Sequence, residues 1–189
     1  MLQTIEAIAA TVEARDLYTS GHQRRVAALA RAIAHEMGLP DDQIRGIFLA
    51  ATIHDLGKIS IPAEILSKPM QLSPMEYELV KIHHQTGHDI IKDVQFPWPI
   101  AQILLQHHER LDGSGYPQGL QNQQILLEAK TLAVADVVEA MSSHRPYRAS
   151  MGIEAALAEI IKQRGSKFDP QVVDVCVHLF RECGYQRPS

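Results

Sequence analysis

Seven side chains of metal-ligand type recur along this chain: His22, then His54-Asp55, then His83, then His107-His108, then Asp136. Several interrupt apolar helical patterns, where a bare charge is costly. A fold that buries them must therefore bring distant helices to one point and give the donors something to bind. Every residue in the set can hold a transition metal, and Asp55 can offer one oxygen to each of two ions. That suffices for a two-metal hydrolytic site. Just after the histidine pair comes Asp112-Gly113-Ser114-Gly115-Tyr116-Pro117, a loop expected to hang over such a site.

The periodicity is helical almost throughout. Leu2, Ile5, Ile8, Ala9 and Val12 mark one face of a first helix. A second runs from about His22 to Met37 on Val26, Leu29, Ala30 and Ile33. Gly38 and Pro40 end it, and Asp41 or Asp42 is expected to cap the next. That third helix carries Ile44, Ile47, Phe48, Ala51 and Ile53 and is expected to close near Gly57. Ser73-Pro74-Met75-Glu76 has the form of a capping box with proline at the first helical position, opening a helix that ends near His83. Gly87 is expected to precede a short helix around Asp89 to Lys92. Pro97 and Pro99 bracket Trp98 and start a helix ending at His107-His108. Leu111 to Gln124, with three glycines and a proline, is the one long loop expected. Further helices are expected over Ile125 to Ser142, Gly152 to Arg164, and Pro170 to Glu182, the last capped by Asp169. No alternating strand pattern appears. The expected fold is all-α, a compact multi-helix bundle forming a single domain over residues 1–189. Residues 1–15 suit the end of a linker helix from a larger signalling protein.

Bulk properties narrow the function. The net charge of −4 argues against binding a DNA or RNA polymer, which needs a basic face. It leaves room for a small anion, because bound divalent ions create a local positive pole. No apolar run approaches the roughly 20 residues of a membrane span, and the N-terminus lacks the features of a signal peptide. The cysteines are Cys176 and Cys183. Their seven-residue spacing suggests one helix face rather than a disulfide, and so a reduced, cytoplasmic setting.

The donors differ in how much each says alone. His54 and Asp55 point about 100° apart on a helix, so two neighbours can reach one cluster from two sides. A buried carboxylate there needs a cation or several donors. Asp136 interrupts the apolar run Leu132-Ala133-Val134-Ala135 and Val137-Val138, which favours a ligand role. His83, His84 and His88 compete for one place, and spacing alone does not choose between them. His35, His144 and His178 are taken as non-ligands. Lys58 can clamp charge or donate a proton to a leaving oxygen. Arg145 and Arg148 suit phosphate or guanine recognition as well as a polar helix end.

Taken together, these blocks resemble the HD-GYP family, a branch of the HD metal-dependent phosphohydrolases. The similarity is carried by Tyr18-Thr19-Ser20-Gly21-His22, His54-Asp55-Leu56-Gly57-Lys58, Lys81-Ile82-His83 with Gly87, and the run from His107 to Pro117. It continues through Ala135-Asp136-Val137, Arg145-Pro146-Tyr147-Arg148 and Phe168-Asp169-Pro170. The resemblance implies a phosphodiesterase that cuts cyclic di-GMP to pGpG and, in many members, on to GMP. It selects His83 from the three competing histidines, with His84 and His88 at the surface or behind the ligands. It implies one ion held by His22, His54, Asp55 and Asp136, and a second held by Asp55, His83, His107 and His108. Iron or manganese is the usual occupant; nickel, cobalt and zinc suit the same donors. Asp55 and Lys58 would be catalytic, and Lys58, Tyr116, Arg145 and Arg148 would hold substrate. The loop Asp112, Gly113, Gly115, Tyr116 and Pro117 could also meet diguanylate cyclase domains, and a homodimer is compatible. Some members hold a third metal through a glutamate where this chain has Tyr18, so two metals and a weaker second cut are expected. The alternatives are a cyclic di-GMP sensor or interaction module with little catalysis, and a phosphohydrolase for another nucleotide.

Overall fold

A computed structural model describes residues 2–13, 15, 21–143, 151–186 and 188. Within them ten α-helices form: α1 (Leu2–Glu13), α2 (His22–Glu36), α3 (Asp41–Ile53), α4 (Ala63–Leu66), α5 (Pro74–Lys81), α6 (His83–Ile91), α7 (Ile100–Gln106), α8 (Leu127–Ser142), α9 (Ile153–Lys162) and α10 (Pro170–Arg181). Short 3-10 turns cover Leu56–Ser60 and Asn122–Gln124. Among the described residues no β-strand forms, only isolated bridges at Asp112–Gln121 and Arg164–Phe168. The all-α expectation holds.

The centre is a layer of α2, α3 and α8. Val26, Leu29 and Ile33 on α2 meet Ile47 on α3 and Leu132 and Val138 on α8, all buried. This apolar body supplies most of the driving force for folding. It also fixes the helices whose ends carry the donors. α1 packs on α3 through Ile5, Ala9 and Val12, while Ile8, assigned to the same stripe, is exposed.

Several helix boundaries differ from expectation. Pro40 occupies the N-cap of α3, and Asp41 and Asp42 lie in its first turn, where they complement the helix dipole. α3 stops at Ile53, and a 3-10 turn carries the chain past Gly57. The capping box at Ser73 and Glu76 forms as expected. α6, however, starts at His83 and runs through Gly87 rather than beginning after it. Gly87 stays in the helix because it meets another glycine across the fold: Gly57 N lies 3.3 Å from where a Cβ on Gly87 would stand. Asp169 caps α10 by accepting from Gln171 N and Val172 N. Cys176 is buried on α10, but Cys183 lies beyond its end and is exposed, so the two do not share a helix face; both are free.

A candidate two-metal centre

All the donors but one stand at or just past a helix end or break. His22 opens α2. His54 and Asp55 occupy the break between α3 and the 3-10 turn, His83 opens α6, and His107 caps the C-terminus of α7. Asp136 alone projects from mid-helix, on α8. The approach of Gly57 to α6 makes the convergence geometrically feasible. A Cβ on Gly57 would lie 1.7 Å from the His83 carbonyl oxygen and 2.6 Å from Gly87 N. Only hydrogen fits there, and the contact brings His83 against Asp55.

Asp55 divides the cluster in two. Its Oδ2 lies 3.9 Å from His22 Nε2 and 3.6 Å from His54 Nε2. Its Oδ1 lies 3.8 Å from His83 Nε2. Asp136 Oδ1 joins the first side, 3.3 Å from His22 Nε2 and 3.8 Å from His54 Nε2. On the second side the donor atoms of His83, His107 and His108 all lie within 4.8 Å of one another, as do those of His22, His54 and Asp55 on the first. All seven expected ligands are thus brought together.

Three of the imidazoles are held alike. His54, His83 and His107 each direct Nδ1 to the carbonyl oxygen three residues back, at 2.7–2.8 Å. That fixes the ring and turns Nε2 inward. His22 Nδ1 instead meets the Glu139 carboxylate, which also accepts from Arg25 Nε at 2.6 Å and Ser143 Oγ at 2.7 Å. Glu139 is buried and was not singled out in the sequence. It lies one turn after Asp136 on α8, but that helix also carries Glu128 and Lys130, so its charge alone did not mark it out.

The electrostatics favour a cation. Burial, with the neighbouring imidazoles, lowers the pKa of His83, His107 and His108, so they are neutral with lone pairs available. Burial works against charge on Asp55 and Asp136, but Lys58 and the histidines around Asp55, and the histidines around Asp136, hold both well below the usual carboxylate range. Burial opposes a charged His22, yet Asp136 and Glu139 outweigh it and raise its pKa to about 9. Glu139 in turn is lowered to about 2, chiefly by His22 against the effect of its own burial. His83 Nε2 and His107 Nε2 are buried without any hydrogen-bond partner. Such an orphaned polar atom costs on the order of 1–3 kcal/mol. The neutral nitrogens of His83, His107 and His108, two carboxylates, and a His22 imidazole that would give up its proton to a metal are a donor set that fits divalent transition metals.

The loop is built around a second buried carboxylate that the sequence reading missed. Glu109 accepts from Gln118 N at 2.7 Å and Leu120 N at 3.0 Å, clasping Asp112–Pro117 from behind. Gly115 lies on the backbone of that residue: its Cβ would fall 2.4 Å from Glu109 Cα. Asp112 Oδ1 accepts from Ser114 N, and the Arg110 guanidinium lies over the Phe168 ring at 5.0 Å. Tyr116 stacks on His108 with centroids 4.9 Å apart and packs on His84 at 4.8 Å, so part of its ring surface is already engaged. His84 is buried there, behind the ligands and away from the surface. His88 is half-buried, bonded to Asp89, and His35 is exposed. Lys58 Nζ lies 2.8 Å from Asp55 Oδ2. Tyr18, His144, Arg145, Tyr147 and Arg148 fall outside the described residues.

A family model described as HD domain matches residues 6–172. The chain belongs to the HD domain family. It is 42% identical over 174 residues to the cyclic di-GMP phosphodiesterase response regulator RpfG of Xanthomonas campestris pv. campestris, covering 91% of this chain and 46% of that protein. It is 37% identical over 172 residues to the 3'3'-cGAMP-specific phosphodiesterase 1 of Vibrio cholerae, covering 90% of this chain and 40% of that one. Among solved structures it is similar to Bd1817, an HDG"Y"P protein from Bdellovibrio bacteriovorus, with a TM-score of 0.70 and 22% identity over 85% of this chain and 51% of that chain. That likeness bears on the fold alone. These relatives are consistent with the HD-GYP resemblance, and the chain spans less than half the length of the two curated ones. An HD domain implies divalent metal ions, and the two donor groups are the candidates to hold them. Among the described residues no helix is long and apolar enough to cross a membrane.

Proposed function

We propose that this HD domain is a metal-dependent phosphodiesterase that hydrolyses cyclic di-GMP to linear pGpG in bacterial second-messenger signalling. The observation that carries the proposal is the division of Asp55, with Oδ2 facing His22 and His54 and Oδ1 facing His83. His22, His54, Asp55 and Asp136 would hold one ion, and Asp55, His83, His107 and His108 the other, with iron or manganese as occupant. When bound, the ions supply Lewis-acid activation of water and charge neutralisation for in-line attack on phosphorus.

The chain's own residues would do the rest. Asp55 shares its charge between the two groups and holds their spacing. Lys58, whose ammonium reaches Asp55 Oδ2, would spread charge on the departing 3′ oxygen or give it a proton. Tyr116 would border the substrate from the loop while supporting His108, and Arg145 and Arg148 would bind the second phosphate or a guanine. With tyrosine at position 18 in place of a third-metal glutamate, pGpG should accumulate ahead of GMP.

Residues 1–189 would act as one phosphohydrolase domain, with residues 1–15 as the end of a linker helix. The relatives are more than twice as long as the overlap, which suits a catalytic part of a signalling protein. The Asp112–Pro117 loop would be the surface for diguanylate cyclase domains, and two copies would associate as a homodimer. Two free cysteines suit a cytoplasmic setting. A second reading is favoured by the Vibrio cholerae relative, whose name specifies 3'3'-cGAMP. The deciding experiment is anaerobic incubation with added Mn(II) or Fe(II) and each cyclic dinucleotide separately. Formation of pGpG from cyclic di-GMP supports the proposal. Cleavage of 3'3'-cGAMP alone moves the assignment to that substrate. Tight cyclic di-GMP binding without product, at full metal occupancy, would make the domain a sensor.

A further inference from the structure

We propose a second, separate metal site of the zinc class at the surface crossing of α2 and α10, formed by Glu36, His178 and Cys183. The sequence gives no reason to join Glu36 to His178 and Cys183, which lie more than 140 residues further along the chain. Folding brings one donor atom from each within 4.8 Å of the others. His178 Nε2 lies 3.6 Å from Glu36 Oε1. That is too long for a hydrogen bond. It is near the edge of a tetrahedron with metal–ligand bonds of about 2.0–2.1 Å, which is on the order of 3.4 Å.

Three further observations support a cation here. His178 Nδ1 is engaged by Glu182 Oε2 at 3.2 Å, the carboxylate–imidazole arrangement that orients a ligating histidine. Glu36 is the last residue of α2, and His178 and Cys183 flank the end of α10, so two helix C-termini direct negative dipole toward the site. Cys183 is exposed and free, and its backbone N–H bonds the His178 carbonyl oxygen at 3.2 Å, which holds its backbone against the last turn of α10. Binding would convert the thiol to a thiolate and release its proton to solvent. Three protein donors leave a fourth position for water. The site stands at the opposite end of α2 from His22, about 20 Å away at 1.5 Å per residue. It would clamp the segment after α10 onto α2. It does not depend on the phosphodiesterase reading.

Sulfur makes the site separable from the buried cluster, whose candidate donors are nitrogen and oxygen only. The probe is Co(II), titrated into the protein after its buried cluster has been saturated with Mn(II). A thiolate-to-cobalt charge-transfer band should appear, saturate at a single equivalent and be bleached by Zn(II). C183S should abolish it. H178A and E36Q should each weaken Co(II) binding by about tenfold or more, the scale seen even for outer-sphere losses. Zn(II) should slow alkylation of Cys183 in the wild-type protein and leave the rate unchanged in H178A. No band at saturating Co(II), or equal midpoints in the wild-type protein and H178A, overturns the proposal, because Cys183 would then be acting alone or not at all.

Discussion

Asp55 has both oxygens committed to different histidine groups, so removing it should disable both. In D55A, metal content should fall from two ions per chain and cyclic di-GMP hydrolysis should drop to background. Elemental analysis and product chromatography on the same sample check this, and full activity with intact metal would refute the scheme. Glu139 acts one layer further out, by orienting His22. In E139Q, affinity for one of the two ions should fall by about 10–100-fold, the range for loss of a carboxylate behind a ligating histidine. The same pair gives the metal-free protein a pH signature. The pKa of His22 rises on folding from 6.5 to about 9, so its contribution is complete below pH 6.5 and is lost as pH rises through 9. The pKa of Glu139 falls from 4.5 to about 2, so its contribution is complete above pH 4.5 and is lost as pH falls through 2. The difference in melting temperature between metal-stripped wild type and E139Q should therefore be largest between pH 4.5 and 6.5 and shrink on either side. A difference that stays constant from pH 3 to pH 9 would count against this pairing.

Helix contacts decide where these residues stand. Gly57 of the 3-10 turn packs against α6 with room for a hydrogen and nothing larger. G57A should push α6 away from the 3-10 turn and destabilise the fold by about 1–3 kcal/mol, as overpacking does. It should also remove the ion of the His83, His107 and His108 group before that of His22 and His54. Calorimetry together with metal stoichiometry tests both parts, and loss of both ions in equal proportion would mean the contact serves the whole cluster. At the other side of the site, the Glu13 carboxylate at the end of α1 accepts from Gly21 N at 3.1 Å and Gln23 N at 3.0 Å. It stands in for the missing side-chain cap of α2, which His22 opens. E13A should lower stability by about 1 kcal/mol, the usual scale for a lost cap, measurable by urea unfolding. An unchanged midpoint would mean water replaces the carboxylate at no loss. The end of α2 was legible from Gly38, Pro40 and its apolar stripe. The start of α6 was not. A glycine inside a helix resembles a break until its packing partner is known, and that partner lies thirty residues earlier in the chain.

At the scale of the molecule, the buried cluster is unfavourable without its cations. Five imidazoles and two carboxylates lie close together, with the His83 and His107 nitrogens unpartnered. Ions that bind the folded state and not the unfolded chain should stabilise it by about 2.7 kcal/mol at a free concentration one hundred times Kd. Chelation should accordingly lower the melting temperature by several degrees and make it dependent on metal concentration. A melting curve indifferent to chelator would contradict a filled centre.

The sequence by itself determined the helical class, most of the helices and the identity of the candidate ligands. Periodicity, caps and donor chemistry are local properties, written in consecutive residues. It could not divide the seven donors between two sites by geometry, although the family resemblance implied that division. Nor could it find Glu139 behind His22, Glu109 under the loop, His84 buried beside Tyr116, or the meeting of Glu36, His178 and Cys183. Each of these depends on distances through space between residues that are not neighbours in the chain. Those distances are set only when the apolar faces of α2, α3 and α8 pack together and carry every helix end to its place.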